Sequence, residues 1–583
     1  MKHRDGAMHV DTSRRRYTAA DGSTTVYERH LLRRSFRDQD GRPQKETLAN
    51  LSMLPSGAVE ALRKALSGTV LVDADEVFEI ERALPHGDVA AVHAMASKLG
   101  VKKILGPDCR ERDLAYALIL SRVVRPKSKL STVGWWDDTT LGQDLNVAGA
   151  STDEVYAAMD WLLERQDGIE AALARRHLRP GGVAMFDLSS SWLEGRCCEL
   201  AAFGYSRDGK RGRKQIEYGL LTDVEGRPVA IRLCAGNTSD TKAFKEAVTI
   251  VREKFGLDRM VMVGDRGMIT EARVKELREL DGMDWVTALR APAIAALACD
   301  DGPLQMSLFD TQNFAEITHP DYPGERLICC RNPVLADERA RKRGELVQAT
   351  VRDLDKIVAR VGKGRLRGRD DIGIAVGKII NKRKVAKHFV LEIGDDTFGY
   401  RLDEEKITAE ASLDGIYVIR TSLAEETLGS GGVVASYKSL ASVERDFRII
   451  KVDDLDLRPV FHYLGGRVRA HVLLCMLASY VVWHLRDALA ELTFTDERIP
   501  HRDDPIEPAR RSDSAKRKDA VKHTPDGLPV RSFRNLIEHL RTLNRETVNF
   551  AGQRLEKITM PTPTQRRVFE LLDVPIPMTL VGG

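Results

Sequence analysis

With 583 residues the chain has room for about three or four domains, and its hydrophobic share of 43% and charged share of 30% belong to a soluble globular protein, which excludes a disordered or fibrous chain. A formal net charge of only +4 means that any nucleic-acid role must rest on local basic clusters, not on bulk charge. Eight scattered cysteines without CxxC or Cys/His metal spacing exclude a disulfide scaffold or a structural zinc site and point to a reducing, cytosolic setting.

In chain order, MKHRDGAMHVDTSRRRY has no apolar core of the kind a secretory signal needs. Residues 1–55 are expected to form a β-hairpin region, with YERHLLRRSF and PQKETLANLSML flanking the turn signal DQDGRP. Residues 56–178 read as helical (AVEALRKAL, DVAAVHAMASKLG, DLAYALILSRVV, TDEVYAAMDWLLER), and Ser151 to Glu154 supply an N-cap for the last of these. A small helical module is a common vehicle for DNA binding, and equally a plain packing domain.

The texture changes at Gly181. VAMFDLSSSW reads as a buried strand, followed by a hairpin turning at Glu225 to Pro228, a helix, the strand RMVMVGD and another helix. This pattern predicts a mixed α/β sheet over residues 179–290. Residues 291–411 are expected to be a β-rich insertion with a long charged helix from about Ala336 to Arg360. The sheet domain resumes over residues 412–495 with DGIYVIRTS and the helix YKSLASVERDFRIIK. The most hydrophobic stretch, Val472 to Val482, is about half the length of a membrane span and reads as a core helix. Residues 496–583 are expected to be a flexible basic linker followed by an amphipathic helix, RSFRNLIEHLRTL, and a strand-like tail.

Three acids stand out. Asp187 lies on the first strand between Phe186 and Leu188, and Asp265 closes RMVMVGD. Strand ends of open α/β sheets are where ligands sit, and an aspartate on a nearly all-apolar strand is costly unless it is paired or holds a cation. Tyr437, Glu444 and Lys451 recur every seven residues, so a regular helix places them on one side, at the rim of an apolar stripe made by Leu440, Val443, Phe447 and Ile450. Two carboxylates about 4 Å apart repel by roughly 4 kcal/mol at an effective dielectric near 20, so a convergence of Asp187, Asp265 and Glu444 requires cations or shared protons. All-oxygen ligation suits Mg²⁺ or Mn²⁺, and paired ions suit in-line phosphoryl transfer.

Basic segments supply the candidate partner. SRDGKRGRKQ packs Arg207, Lys210, Arg211, Arg213 and Lys214 around two glycines, while GKGRLRGRD and NKRKVAKH repeat the theme inside the insertion. A charge run is ordinarily a solvated face, but interleaved glycines let backbone N–H groups and arginine forks approach phosphates closely. Arg448 and Lys451, beside Glu444, are placed to hold a DNA phosphate, and Tyr437 is either a phosphate contact or core-margin packing. His462, His471 and His484 lack metal-ligand spacing and read as core or surface histidines. Ser189 to Ser191 sit in no GxSxG elbow, and no P-loop is present.

Taken in order, FDLSSSWLEG, VGDRG and the Tyr437, Glu444, Lys451 spacing make the chain resemble the DDE transposases of bacterial insertion sequences, in the group with a β-rich insertion before the third acid. That group's signature places an arginine where this sequence has Leu440. FGYSRDGKRGRKQ, GRPVAIRLCAGNTSD and LRPVFHYLGGRVRAHVLLCML also resemble segments of the group, and the likeness runs from about Tyr27 to Leu492. The resemblance implies an RNase H-like catalytic domain, two Mg²⁺ or Mn²⁺ ions held by Asp187, Asp265 and Glu444, and double-stranded DNA as substrate, both terminal inverted repeats and target. It also implies a homodimer in a synaptic complex, in a bacterial cytoplasm and on the nucleoid when bound to DNA, with no membrane partner. An RNase H-like nuclease that cuts without joining, and a non-catalytic DNA-binding descendant, are the alternatives.

Overall fold

The computed structural model describes residues 6–38, 40–71, 78–195, 197–299, 302–502, 504–550 and 552–580. The chain forms two compact units, one of residues 1–83 with 545–558 and one of residues 84–544 with 559–583.

In the smaller unit the expected hairpin is present. Strand β2 (Thr24–Arg37) pairs with β3 (Pro43–Asn50) across the DQDGRP turn, from Arg37 opposite Pro43 to Leu31 opposite Asn50. A further strand, β1 (Ala7–Thr18), joins the other side of β2 to make a three-stranded antiparallel sheet. Helix α1 (Ser56–Leu66) buries Val59, and β4 (Phe78–Pro85) belongs to a second sheet with two strands from the C-terminal tail.

The larger unit opens with a helical layer: α2 (Gly87–Lys98), α3 (Val101–Leu105), α4 (Arg110–Val124), α5 (Lys129–Trp136), α6 (Thr140–Asp144), α7 (Thr152–Glu164) and α8 (Gln166–His177). The expected cap of α7 is a full capping box: the Glu154 N–H donates to Ser151 Oγ at 3.2 Å, and the Ser151 N–H donates to Glu154 Oε2 at 2.8 Å.

Next comes the sheet that carries the candidate site. Strands β5 (Val183–Trp192), β6 (Gln215–Asp223) and β7 (Pro228–Ala235) are antiparallel neighbours. Helix α9 (Asp240–Thr249) leads to β8 (Met260–Val263), and α10 (Glu271–Arg278) leads to β9 (Met283–Ala288). Both β8 and β9 run parallel to β5, in the spatial order β7-β6-β5-β8-β9. Three antiparallel strands followed by two parallel ones, in the order 3-2-1-4-5, is the RNase H-like arrangement.

The expected β-rich insertion carries more helix than strand. After α11 (Ala291–Leu297), strands β10 (Phe314–Ile317) and β11 (Arg326–Arg331) join the main sheet. Helix α12 (Pro333–Gly362), 30 residues long, packs on α13 (Arg369–Ile380) and on a two-stranded hairpin, β12 (Phe389–Ile393) and β13 (Phe398–Leu402), around a core of its own. Leu354, Ile357 and Val361 face Ile372 and Val376 there at helical spacing, so these residues bury themselves as helix although their flanks are rich in charge. Helix α14 (Glu404–Ala411) then returns the chain to β14 (Ile416–Thr421), which lies antiparallel between β9 and β11.

The segment YKSLASVERDFRIIK is not one helix. The chain forms α15 (Ser430–Lys438), breaks at Ser439, forms α16 (Leu440–Arg448), and passes through a π turn over Ile449–Asp453. Helix α17 (Gly465–Ala488) is 24 residues long and apolar enough to cross a membrane by length and composition, but 83% of its apolar window is buried inside the protein, as in a core helix.

The expected flexible linker after residue 496 contains an ordered helix, α18 (Asp513–Val521), capped where the Ala515 N–H donates to Ser512 Oγ at 3.0 Å. Lys518 is buried there, donating to the carbonyls of Ala490 and Thr495, each at 2.8 Å, and pairing with Glu497. Composition hid this, because the charges that suggest disorder are spent on internal partners. The amphipathic helix α19 (Phe533–Leu540) buries Phe533, Leu536, Ile537 and Leu540. The tail is a hairpin, β15 (Asn544–Phe550) and β16 (Gln553–Ile558), followed by α20 (Pro563–Leu571).

Candidate active site

The register of β5 against β8 places two of the acids. Val183 lies opposite Val261, Ala184 opposite Met262 and Met185 opposite Val263. Asp187 and Asp265 each follow the last paired residues, Met185 and Val263, by two positions, so neighbouring parallel strands carry both acids towards the same end of the sheet. Asp265 sits just past the carboxyl end of β8, where its carbonyl accepts the N–H groups of Met268 and Ile269 at 2.9 and 3.1 Å and turns the chain. Its carboxylate is exposed to the cleft.

Helix α16 delivers the third acid. Val443 and Phe447 are buried, and the Phe447 ring meets Tyr218 of β6 edge-on at 5.7 Å. Tyr218 in turn lies opposite Ser189, two residues beyond Asp187, and hydrogen-bonds Ser191 at 2.9 Å. The apolar edge of α16 therefore seats on the face that carries Asp187, leaving Glu444 exposed at the rim. Asp187, Asp265, Glu444 and Tyr437 all line one cleft of about 420 Å³, together with Asn332, Leu440 and Lys438.

Electrostatics link the same residues. Burial pushes the half-buried Asp187 carboxyl up to about 7. The Leu188 N–H, donating to Oδ1 at 2.8 Å, opposes that rise; the charges of Glu444 and Asp265 add to it, and Arg207 works against it. Tyr437 is pushed up to about 12, first by burial and then by Asp265, so its hydroxyl stays neutral and able to donate at ordinary pH. Among the described residues none of the three acids forms an ion pair, so the cleft offers unpaired hard oxygen donors. That donor set fits a divalent cation such as Mg²⁺ or Mn²⁺. Among the described residues no three histidine, cysteine or acidic side chains already stand close enough to grip one ion, so the trio lines the walls of the cleft without closing a cage.

The basic residues divide into two groups. Lys210, Arg211, Arg213 and Lys214 are exposed, with Arg213 paired to Glu194 at 2.8 Å and Lys210 over the Trp192 ring at 5.4 Å. Arg448 is exposed on α16. Arg207 is half-buried: its guanidinium holds Asp240 at 2.6 Å and Glu217 at 3.3 Å, and its charge acts on Asp187 from behind. Lys451 does not face the cleft. It is 8% exposed, and its Nζ donates to Asp208 Oδ1 at 2.9 Å beside Arg458, which pairs with the same carboxylate. The π turn is the reason, because its extra residue per turn breaks the seven-residue phase just before Lys451 and swings that side chain inward.

Sequence reasoning missed Asp208, although it lies inside the basic loop already singled out. Lys451 and Arg458 hold that loop by its one acid. The signal was a lone aspartate in a run of cations, which is more informative than the cations around it.

Residues 194–481 match the family model described as a transposase DDE domain. No curated protein matches the chain. Among solved structures it is similar to the piggyBac transposase in a cryo-EM synaptic complex with hairpin DNA, at 9% identity and a TM-score of 0.33, covering 78% of this chain and 76% of that one. A likeness that loose bears on nothing that follows. The matched segment spans β6 to α17, and so includes Asp265, Glu444 and most of the sheet that positions them, with Asp187 seven residues before its start. On that match, residues 194–481 are a transposase DDE domain.

Proposed function

We propose that this transposase cleaves DNA at the terminal inverted repeats of an insertion sequence and joins the freed ends to target DNA, with Asp187, Asp265 and Glu444 as the ligands of two Mg²⁺ or Mn²⁺ ions. The observation that carries this reading is the single cleft into which one parallel register and one amphipathic helix bring all three acids. Bound there, divalent ions would supply Lewis-acid chemistry, activating a water or 3′-hydroxyl and stabilising the leaving oxygen.

The chain's own residues do the rest. Asp187 would hold an ion as the carboxylate, the form that the charge of Arg207 favours against burial. Tyr437 offers a neutral hydroxyl to a phosphate oxygen at the cleft wall. Arg448 and the exposed loop of Lys210, Arg211, Arg213 and Lys214 attract the DNA backbone. Lys451 acts at one remove, pinning that loop through Asp208.

A strand-transfer assay tests the joining half of the proposal. DNA carrying pre-cut ends taken from the sequence that flanks the gene is incubated with the protein, Mg²⁺ and a plasmid target. Joined product is the expected result. Cleavage of uncut ends with no joined product would make the protein a nuclease instead.

A further inference from the structure

A second cavity, of about 730 Å³, lies away from the acids, between the start of α5 and the segment that links the π turn to α17. Its lining shares no residue with the acidic cleft. Lys129, Arg122 and His471 contribute to it, and they are 4%, 6% and 6% exposed. Among the described residues no carboxylate pairs with either cation. There Lys129 Nζ meets His471 Nδ1 at 3.4 Å, and the Arg122 guanidinium donates to the carbonyls of Leu455 and Lys127 at 3.4 and 3.0 Å. Asp456, the one acid on the lining, is exposed and pairs with neither.

Two buried cations side by side with no counter-ion are unfavourable unless an anion completes them. Burial and the Arg122 charge hold the Lys129 amine well below its ordinary range, which is the signature of a lysine short of a partner. The mouth of the cavity has a different character. Phe461 and Tyr463 are 64% and 60% exposed, and aromatic faces left in water at the edge of a cationic pocket are what an unstacked base packs against.

We infer that this cavity takes one unpaired nucleotide of a DNA strand, with its phosphate on Lys129 and Arg122 and its base against Phe461 or Tyr463. The inference depends on the proposed DNA substrate only for the source of the phosphate, and it makes no use of the three acids.

The test uses the full chain, a fluorescent single-stranded oligonucleotide and inorganic pyrophosphate. Lys129→Met removes the buried charge and keeps the volume, so the protein should melt at or above the wild-type temperature. Oligonucleotide affinity should fall about tenfold or more, and the rise in melting temperature that pyrophosphate gives the wild type should disappear. Phe461→Ala combined with Tyr463→Ala, both at exposed positions, should weaken the oligonucleotide and leave the pyrophosphate shift intact. Wild-type affinity in either variant would overturn the inference, as would a wild-type protein that is stabilised by pyrophosphate and binds no oligonucleotide. Mn²⁺ titration of the same Lys129→Met protein reports on the acidic cleft separately. Loss of Mn²⁺ binding in the wild type would count against the metal site and leave this pocket standing.

Discussion

Asp208 shows how one residue changes the reading of its neighbours. Its side chain is 2% exposed and serves both Lys451 and Arg458. Removing one partner from a buried ion pair costs about 3–5 kcal/mol, because the remaining charge is left without compensation. Asp208→Asn should therefore lower stability in urea unfolding by that order, and Lys451→Met by less, since Arg458 still satisfies the acid. The same variant separates two accounts of the basic loop. By charge alone, deleting an acid should strengthen DNA binding; if Lys451 and Arg458 order the loop through Asp208, binding should weaken. Tighter binding by Asp208→Asn would show that the loop needs no anchor.

A second acid sets a pH dependence. Asp88 is 1% exposed, and burial pushes its carboxyl from an ordinary 3.8 up to about 6, against the Val89 N–H at 2.8 Å and the charge of Arg541. The folded value lies above the unfolded one, so the fold binds this proton more tightly. Its contribution is full below about pH 4 and is lost as pH rises through 6. A rise of about two units corresponds to roughly 3 kcal/mol at most. Asp88→Asn should raise the melting temperature at pH 8 and change it little at pH 4; equal shifts at both would remove Asp88 as the cause.

At the level of elements, the hairpin turn between β6 and β7 supports the helix that carries Glu444. Gly226 holds φ +85°, and a Cβ there would stand 3.0 Å from the Cβ of Ser442 on α16. Alanine in that left-handed conformation costs about 1–2 kcal/mol, and the contact adds to it. Gly226→Ala should destabilise the protein by that order and reduce DNA cleavage more than DNA binding, because the displaced helix carries Glu444, a proposed metal ligand, while the basic loop lies elsewhere. Equal losses in both would mean that the turn matters only for stability.

The same elements mark what the sequence could disclose. The apolar edge of Leu440 to Ile450 was legible, because local amphipathicity decides which edge of a helix is buried, and Tyr437 and Glu444 both line one cleft although they stand on two helices. The break at Ser439 and the π turn at Ile449 were not legible, since both depend on what the helix packs against. Lys451 was accordingly aimed at the cleft although it points inward to Asp208. The histidines His462 and His471 were read as ordinary core or surface residues. Periodicity alone could not show that they close a cavity with Lys129, more than three hundred residues away in sequence.

Across the whole molecule, the order of secondary structure was more legible than the boundaries. The strand-strand-strand-helix-strand run predicted the sheet, and the parallel β5–β8 pairing then does what no local pattern can, bringing Asp187 and Asp265, 78 residues apart in the chain, to the same end of the sheet and into one cleft. The insertion looked β-rich because its short apolar runs resemble strands; two of those strands extend the main sheet, while α12 and α13 build most of the separate core. Length thus goes into framing one cleft: β5 and β8 supply two acids, the insertion supplies Asn332 and Leu335 on the wall, and the chain returns through β14 to deliver the third acid.

The central claim is that the three acids act as one metal-dependent site. Its most direct test is Mg²⁺-dependent cleavage of DNA bearing the ends that flank the gene, measured for the wild type and for Glu444→Gln alongside binding of the same DNA. Glu444 is exposed and makes no ion pair among the described residues, so the variant should fold normally. Cleavage should fall to background while end binding stays within about twofold, because a metal ligand is lost and no phosphate contact is. Cleavage at the wild-type rate by Glu444→Gln would contradict the account.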